Sequence, residues 1–462
     1  MPDPIGPNDI VIVQGNYLVK QSDGSRFLMK GIAFPVSTAE DSYNVKGWQD
    51  VLYQLHETAP QINTVRMYDM DPTLDYSAFF HAAAALGIYV LVPLTSAAGA
   101  GVLDRTQAAP NCYSPALFSY GKACIDNFGR YPNVLAGVIA NEVMNSLETW
   151  KAAPCVLAYS RDLKLYSRRI PLLYSAQHDS IGAAVSASQA MKVTMDYLTC
   201  HGNESSIDIF GINIESWCSS TQEYLFNPDG SIGTYRAVHE ELSNATRPIV
   251  FSEMGCSLSE FNKDNGLARG ARDWSQISIV LGDEMVDSWS GFCAYAYDGN
   301  VNFNMMRGGP WNGECVLEPA KDYDNFVQAL SQVDTAPIFV PENYTLQHFS
   351  KSSCENVAAK LLDCCELTLL SVDDIPSHAS NHSIPDYTNP KLVKHHDQWP
   401  MYMVGVVALL YVLLQCIGVQ RRKNVALASM LPHQAEISSN GYHAQQQEMK
   451  ATYQYQAINN SN

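Results

Sequence analysis

The sequence is short of positive charge. Its 462 residues carry 29 Lys and Arg against 47 Asp and Glu, a formal net charge of −18. A surface this acidic repels phosphate backbones, which excludes nucleic acid as a partner. The paired C-x2-C spacing of a zinc site is missing. No G-x-G-x-x-G follows an early strand, so the usual dinucleotide fingerprint is missing too. Neither a metal nor a cofactor is expected. The first ten residues (MPDPIGPNDI) have no basic start and no apolar run, so no signal peptide is visible.

What is present describes a folded, secreted-type chain. Hydrophobic residues make up 46% and charged residues 16%, the balance of a globular protein. The length suffices for one large barrel with appendages. Eleven of the 12 cysteines precede residue 400, including the adjacent Cys364 and Cys365. Four Asn-x-Ser/Thr sequons start at Asn203, Asn244, Asn343 and Asn381. Cysteines and sequons lie on the same side of one hydrophobic segment, which points to an oxidising lumen.

That segment, 401–419 (MYMVGVVALLYVLLQCIGV), is uncharged and long enough to span a bilayer core. Trp399 and Tyr402 stand at its start, and Arg421, Arg422 and Lys423 follow it. Interfacial aromatics and a basic cytoplasmic flank are the marks of a single-pass helix. The other reading is a buried core helix. A polar tail follows, so the segment is not a terminal GPI signal. A luminal domain without a visible signal peptide leaves two readings open: a missing first exon, or insertion directed by the spanning segment itself.

Residues 11–340 alternate short β-like runs with amphipathic stretches. Val11–Val19, the turn Ser22–Ser25 and Phe27–Phe34 read as a hairpin leading into strand one. Further strands are predicted at Ile62–Tyr68, Ile88–Leu94, Leu135–Asn141, Ile170–Ala176, Ile207–Asn213, Pro248–Glu253 and Gly291–Tyr297. Helices are predicted between them, among them Pro115–Phe128, Ala158–Arg168 and Trp274–Asp287. Eight β-then-α units imply an α/β fold, a (β/α)8 TIM barrel, with an open doubly wound sheet as the alternative. The expected organisation is a catalytic barrel over 1–340, a Cys- and Pro-containing stalk over 341–400, a transmembrane helix over 401–419 and a disordered cytoplasmic tail over 420–462.

In such a barrel, side chains at the C-terminal ends of strands face the active-site mouth. Strand four ends in Asn141-Glu142 and strand seven in Ser252-Glu253, each after a hydrophobic run. Glycoside cleavage needs this kind of pair. One carboxyl group, kept protonated, donates to the leaving oxygen, and the other attacks the anomeric carbon. A lone Glu at a strand end is more often a rim ion-pair residue; two in these places favour catalysis.

Several stretches make a more specific match: Asn63–Tyr68 (NTVRMY), Asn127–Asn145 (NFGRYPNVLAGVIANEVMN), Arg161–Lys164 (RDLK), Asp208–Cys218 (DIFGINIESWC) and Pro248–Cys256 (PIVFSEMGC). Over residues 10–335 the chain resembles the fungal β-1,3-glucanosyltransferases of the Gas/Gel type, glycoside hydrolase family 72. That resemblance implies a retaining enzyme with Glu142 as acid/base and Glu253 as nucleophile. Asn141 would bind the sugar 2-hydroxyl, and Arg66 would help keep Glu253 ionised, since a nearby cation lowers a carboxyl pKa. Tyr68 and Tyr295 would line the donor site, with Asp179, Glu215 and Trp217 completing the substrate-binding set. Cys218 and Cys256 match a disulfide pair of the family. The implied partners are β-1,3-glucan donor and acceptor chains, and the implied place is the cell surface, outside the plasma membrane.

The chain departs from the family pattern at four places. Glu215 stands where a Tyr is usual, Pro93 where an Asp closes strand three, and Phe34-Pro35 where Tyr-Gln closes strand one. After strand five, His178-Asp179 and Ala183 replace a double Asp and an Arg that help bind the acceptor. Glu215 is open to three readings: a hydroxyl ligand, a like charge that raises the Glu142 pKa, or an exposed rim residue. Fewer acceptor contacts would shift the outcome from transfer toward hydrolysis. The leading expectation is a cell-wall β-1,3-glucanosyltransferase; the alternatives are a β-1,3-glucan hydrolase and a catalytically silent glycan-binding surface receptor.

Overall fold

The computed structural model describes residues 4–6, 8–34, 45–96, 99–178, 186–215, 233–256, 272, 274–298, 303–308, 317–333, 336–341, 344 and 369–379. Eight of the hydrophobic runs become parallel strands: β3 (Met29–Ala33), β4 (Thr64–Arg66), β5 (Tyr89–Pro93), β6 (Val134–Asn141), β7 (Leu172–Gln177), β8 (Ile209–Ile214), β9 (Ile249–Met254) and β10 (Trp289–Ala294). They close in sequence order, with β10 pairing back to β3, into one barrel. Strands buried on both faces read as continuous apolar runs, which is how β5, β8, β9 and β10 read. The open doubly wound sheet is thereby excluded.

The hairpin differs from expectation. Val11–Val19 is not one strand but two, β1 (Val11–Gln14) and β2 (Tyr17–Lys20), reversed at Gly15-Asn16. Gly15 has φ of +64°, a conformation that glycine reaches without steric cost. Val11 and Leu18 pack with Met29, Tyr89, Leu135, Ile209 and Val250, residues at or near the N-terminal ends of barrel strands. The hairpin therefore plugs the bottom of the barrel and leaves the C-terminal mouth for chemistry.

Helices fill the crossovers: α1 (Val45–Thr58), α2 (Ser77–Ala85), α3 (Pro115–Phe128), α4 (Ala153–Tyr166), α5 (Ala187–Thr199), α6 (Gly202–Ser205), α7 (Thr234–Leu242), α8 (Gln276–Val280) and α9 (Lys321–Ser331). The Ser114 side chain caps α3 by accepting from Leu117 N at 3.1 Å, with Pro115 in the first turn. Helix α4 starts five residues before the predicted Ala158, because Pro154 suits a first turn, where its missing N–H has no partner to lose. Helix α8 is far shorter than the predicted Trp274–Asp287. At Gly282 a Cβ would lie 2.3 Å from Ser278 O, so the chain turns there where only glycine fits.

One disulfide joins Cys112 to Cys155, tying the loop before α3 to α4. Cys200 and Cys256 are also disulfide-bonded, and Cys218, the expected partner of Cys256, lies outside the described residues. Cys124 and Cys293 are free and buried, so not every cysteine before residue 400 is bridged. Part of the expected stalk is docked on the barrel unit. Arg161 on α4 donates to Val372 O at 2.9 Å and Ile375 O at 3.1 Å, while Asp162 accepts from Ser377 Oγ and His378 N. Everything above belongs to one compact unit, Met1–Arg307 with Pro319–Asn381. A second unit, Gly308–Glu318 with His382–Asn462, falls almost wholly outside the described residues, as does the predicted spanning segment. Among the described residues no helix is long and apolar enough to cross a membrane.

Candidate active site

Two bulges aim the site residues. Between β6 and β7 the register slips after Val138, so Ile139 is the extra residue and Asn141 comes level with Ser175. Between β8 and β9 it slips after Ile212, so Ser252 is extra and Asn213 pairs with Glu253. Bulges re-aim side chains beside functional sites. Here they bring the ends of β6, β8 and β9 to a common point over the barrel lumen.

Glu142 follows β6 with φ of +51°, in the left-handed region that non-glycine residues seldom occupy. Its backbone is held from both sides. Its N–H donates to Ser175 O at 2.8 Å, and its carbonyl accepts from Arg105 Nη1 at 3.0 Å. A backbone conformation that costs about 1–3 kcal/mol persists only where neighbours over-determine it, and it concentrates at functional sites.

Glu253 is 5% exposed, near the end of β9. Arg66 Nη1 donates to its Oε1 at 2.9 Å, and Tyr68 O–H donates to the same oxygen at 3.1 Å. Arg66, itself 1% exposed, also donates to Ser252 O at 2.7 Å and, through Nη2, to Asn141 Oδ1 at 2.8 Å. Burial pushes the Glu253 carboxyl up to about 7; Arg66 and the Tyr68 hydroxyl pull it down, and the Glu142 charge adds to the rise.

Asn213 links the two carboxylates. Its Nδ2 donates to Glu142 Oε1 at 2.8 Å and to Asn141 Oδ1 at 3.1 Å. Its Oδ1 accepts from Ser252 Oγ at 2.8 Å and from Arg66 Nη1 at 3.4 Å. Neither Asn213 nor Arg105 stood out in the sequence. The signal for Asn213 was its place near the end of strand six, in the same alternation as the other site residues.

Tyr68 and Tyr295 are half-buried, with ring centroids 6.1 Å apart, and form an aromatic wall beside Glu253. Phe303 packs on Tyr295 at 5.2 Å. Arg272 fixes the base of this wall by donating to Tyr295 O at 2.8 Å and to Cys256 O at 3.1 Å. Of the predicted set, the structure brings together Glu142, Glu253, Asn141, Arg66, Tyr68, Tyr295 and Glu215. Asp179 and Trp217 lie outside the described residues.

An eight-stranded parallel barrel with two glutamates linked by hydrogen bonds at its C-terminal mouth is an architecture that suits the cleavage of glycosidic bonds. The chain belongs to the glucanosyltransferase family, a family of glycoside hydrolases and transglycosylases, whose model matches residues 7–334. Among curated relatives, 1,3-beta-glucanosyltransferase gel2 of Aspergillus fumigatus is 27% identical over 355 residues, covering 74% of this chain and 69% of the relative. 1,3-beta-glucanosyltransferase gas1 of Schizosaccharomyces pombe is 29% identical over 300 residues, covering 62% of this chain and 50% of the relative. Protein EPD2 of Candida maltosa is 28% identical over 340 residues, 70% of this chain and 56% of its own length. The chain thus spans between half and about two thirds of these relatives. The fold is shared with apo Saccharomyces cerevisiae Gas2p, with a TM-score of 0.61 at 24% identity, covering 75% of this chain and 69% of that one. It is shared equally with Gas2p solved in complex with laminaritetraose and laminaripentaose, with a TM-score of 0.58 at 23% identity over 74% and 72% of the two chains.

Proposed function

We propose that the chain is a β-1,3-glucanosyltransferase that remodels cell-wall glucan through a glycosyl-enzyme. The observation that carries this reading is the hydrogen-bonded chain from Glu142 through Asn213 and Arg66 to Glu253. In the first step Glu142 gives its proton to the glycosidic oxygen while the Glu253 carboxylate attacks the anomeric carbon. The C–O bond breaks, the reducing-side fragment leaves, and the retained glucan is esterified to Glu253. In the second step Glu142 takes the proton of an acceptor hydroxyl. That oxygen displaces Glu253, and the configuration is retained after two inversions. Asn141 has its amide oxygen fixed by Arg66 and Asn213, and among the described residues no acceptor takes its NH₂, which can meet a sugar hydroxyl. Tyr68 and Tyr295 offer aromatic faces to the sugar's apolar face.

Hydrolysis is the second reading, and Pro93 favours it. It closes β5 with a side chain that cannot hydrogen-bond an acceptor, where the resemblance leads one to expect an Asp. Incubation with laminari-oligosaccharides and sizing of the products decides. Chains longer than the input are the expected result; only shorter chains would establish hydrolysis, and no change would sink both readings. Glu253→Gln is expected to abolish turnover while retaining oligosaccharide binding.

The cell-surface setting belongs to the same proposal. It is supported by the uncharged segment 401–419 with its basic flank and by the exposed sequon asparagines Asn203 and Asn244. Recovery of the full chain in carbonate-washed membranes, with loss on removal of 401–462, is the expected outcome.

A further inference from the structure

The mouth holds a third carboxyl group. Glu215 follows β8 directly, two residues after Asn213. Strand side chains alternate between faces, so Glu215 and Asn213 point to the same, lumen side. Asn213 reaches Glu142 and Asn141, and Glu215 follows it one strand step nearer the C-terminal mouth. Glu215 is half-buried, and among the described residues no donor bonds its carboxyl group.

The cations nearby are already committed. Arg66 is taken up by Glu253, Asn141, Asn213 and Ser252. Arg272 is closed against Asp322 at 2.5 Å and against the carbonyls of Cys256, Tyr295 and Phe303. Among the described residues, the titratable and charged groups that act on Glu215 are therefore two carboxyls, Glu253 on β9 and Glu142 after β6, opposed by Arg272, which is already neutralised by Asp322. An ionised Glu215 would sit in a half-buried mouth against like charges, with no salt-bridge partner among the described residues, which favours the neutral acid.

We propose that Glu215 is a substrate-positioning acid: its protonated carboxyl donates an O–H hydrogen bond to a hydroxyl of the glucan lying across Glu142 and Glu253, and its ionisation loosens that hold. The proposal rests on the glucan-processing reading above. Burial first, then the Glu253 and Glu142 charges, push this carboxyl up to about 8, with Arg272 opposing. Glu215 is thus neutral through pH 7 and ionises above it. A Tyr at this place, the residue the family pattern favours, also presents an O–H. The replacement keeps a donor and brings its loss down from the phenol range, near 10, toward neutral pH.

Two measurements test it. The first needs no glucan. A carboxylic-acid carbonyl band in the infrared spectrum at pH 7 should be lost in Glu215→Gln, and in the unsubstituted protein that band should titrate away between pH 7 and 9. If the Glu215→Gln difference spectrum shows no such band, the neutral acid is refuted. The second is calorimetric binding of laminaripentaose at pH 7 and pH 9.5, in a Glu142→Gln background that stops turnover. Affinity is expected to fall about ten-fold or more at the higher pH. Adding Glu215→Gln or Glu215→Tyr should keep affinity within about three-fold across that range, because both retain a donor. Adding Glu215→Ala should weaken binding at both. Equal losses in the Gln, Tyr and Ala variants, or a flat pH response with Glu215 intact, would overturn the proposed contact. Failure of every form to bind the oligosaccharide while the band titrates would instead overturn the glucan reading and the contact together, leaving the protonation finding standing.

Discussion

At the scale of single residues, Asn213 decides how the two carboxylates behave as a pair. Its amide has one orientation that satisfies four partners: two acceptors on the Nδ2 side, and Ser252 Oγ and Arg66 Nη1 on the Oδ1 side. Asn213→Asp is nearly isosteric but replaces the donor facing Glu142 with a negative oxygen. Removing one pre-set donor of this kind costs roughly 10²–10³-fold in kcat. That loss is expected in steady-state assays on laminari-oligosaccharides, with the unfolding midpoint shifted far less than the rate. Glu142 and Glu253 could be read from the sequence because each closes an apolar run that has to be a buried strand. Asn213 could not. Its importance depends on a one-residue bulge that sets it level with Glu253, and a bulge leaves no local pattern in the chain. Arg105 was illegible for a related reason: it acts on a backbone carbonyl 37 positions away in sequence.

At the scale of elements, Arg272 and Asp322 form a buried ion pair beside the ends of two barrel strands. Arg272, 1% exposed, meets Asp322 at the start of α9, and Trp274 Nε1 donates to the same carboxylate at 3.1 Å. The guanidinium also grips Cys256 O and Tyr295 O, so it connects the ends of β9 and β10, which carry Glu253 and Tyr295. Breaking a buried pair from one side strands the other charge and costs about 3–5 kcal/mol. Arg272→Met is expected to lower unfolding stability by that order in urea titrations. Adding Asp322→Leu should recover part of it, because no charge is then left buried alone. A single variant within about 0.5 kcal/mol of the parent would contradict this, that being the range of ordinary surface substitutions. The strands themselves were predicted well, since period and β-branched content are local properties. The shortened α8 and the turn at Gly15-Asn16 were missed. Both depend on one glycine each, whose effect is steric and sits within an otherwise continuous apolar pattern.

At the scale of the whole molecule, buried acids set how stability varies with pH. Asp298 is 1% exposed with neither carboxylate oxygen hydrogen-bonded, and burial pushes it up to about 7. Glu253 stands at about 7 and Glu215 at about 8. In the unfolded chain these groups titrate near 4, so between pH 4 and 7 the folded state holds protons that the unfolded state has lost. Stability is therefore fully present below the unfolded values and is lost as pH rises through the folded ones. The slope is about 1.4 kcal/mol per pH unit for each such group. Two histidines work the other way. His239 Nδ1 accepts from Trp289 Nε1 at 2.9 Å, and burial lowers both His239 and His201 below 6.5. The unfolded state takes up protons there first, so below pH 6.5 these residues subtract stability on further acidification. Between pH 4 and 7 the three acids outweigh the two histidines, so the net trend is a loss of stability as pH rises. Thermal unfolding from pH 4 to 9 should show a midpoint that falls steadily from pH 5 to pH 8. Asp298→Asn should flatten that fall, since an amide buried at that place has no proton to lose. A midpoint that rises from pH 6 to 8, or an Asp298→Asn curve parallel to that of the parent, would show that these acids do not govern the fold.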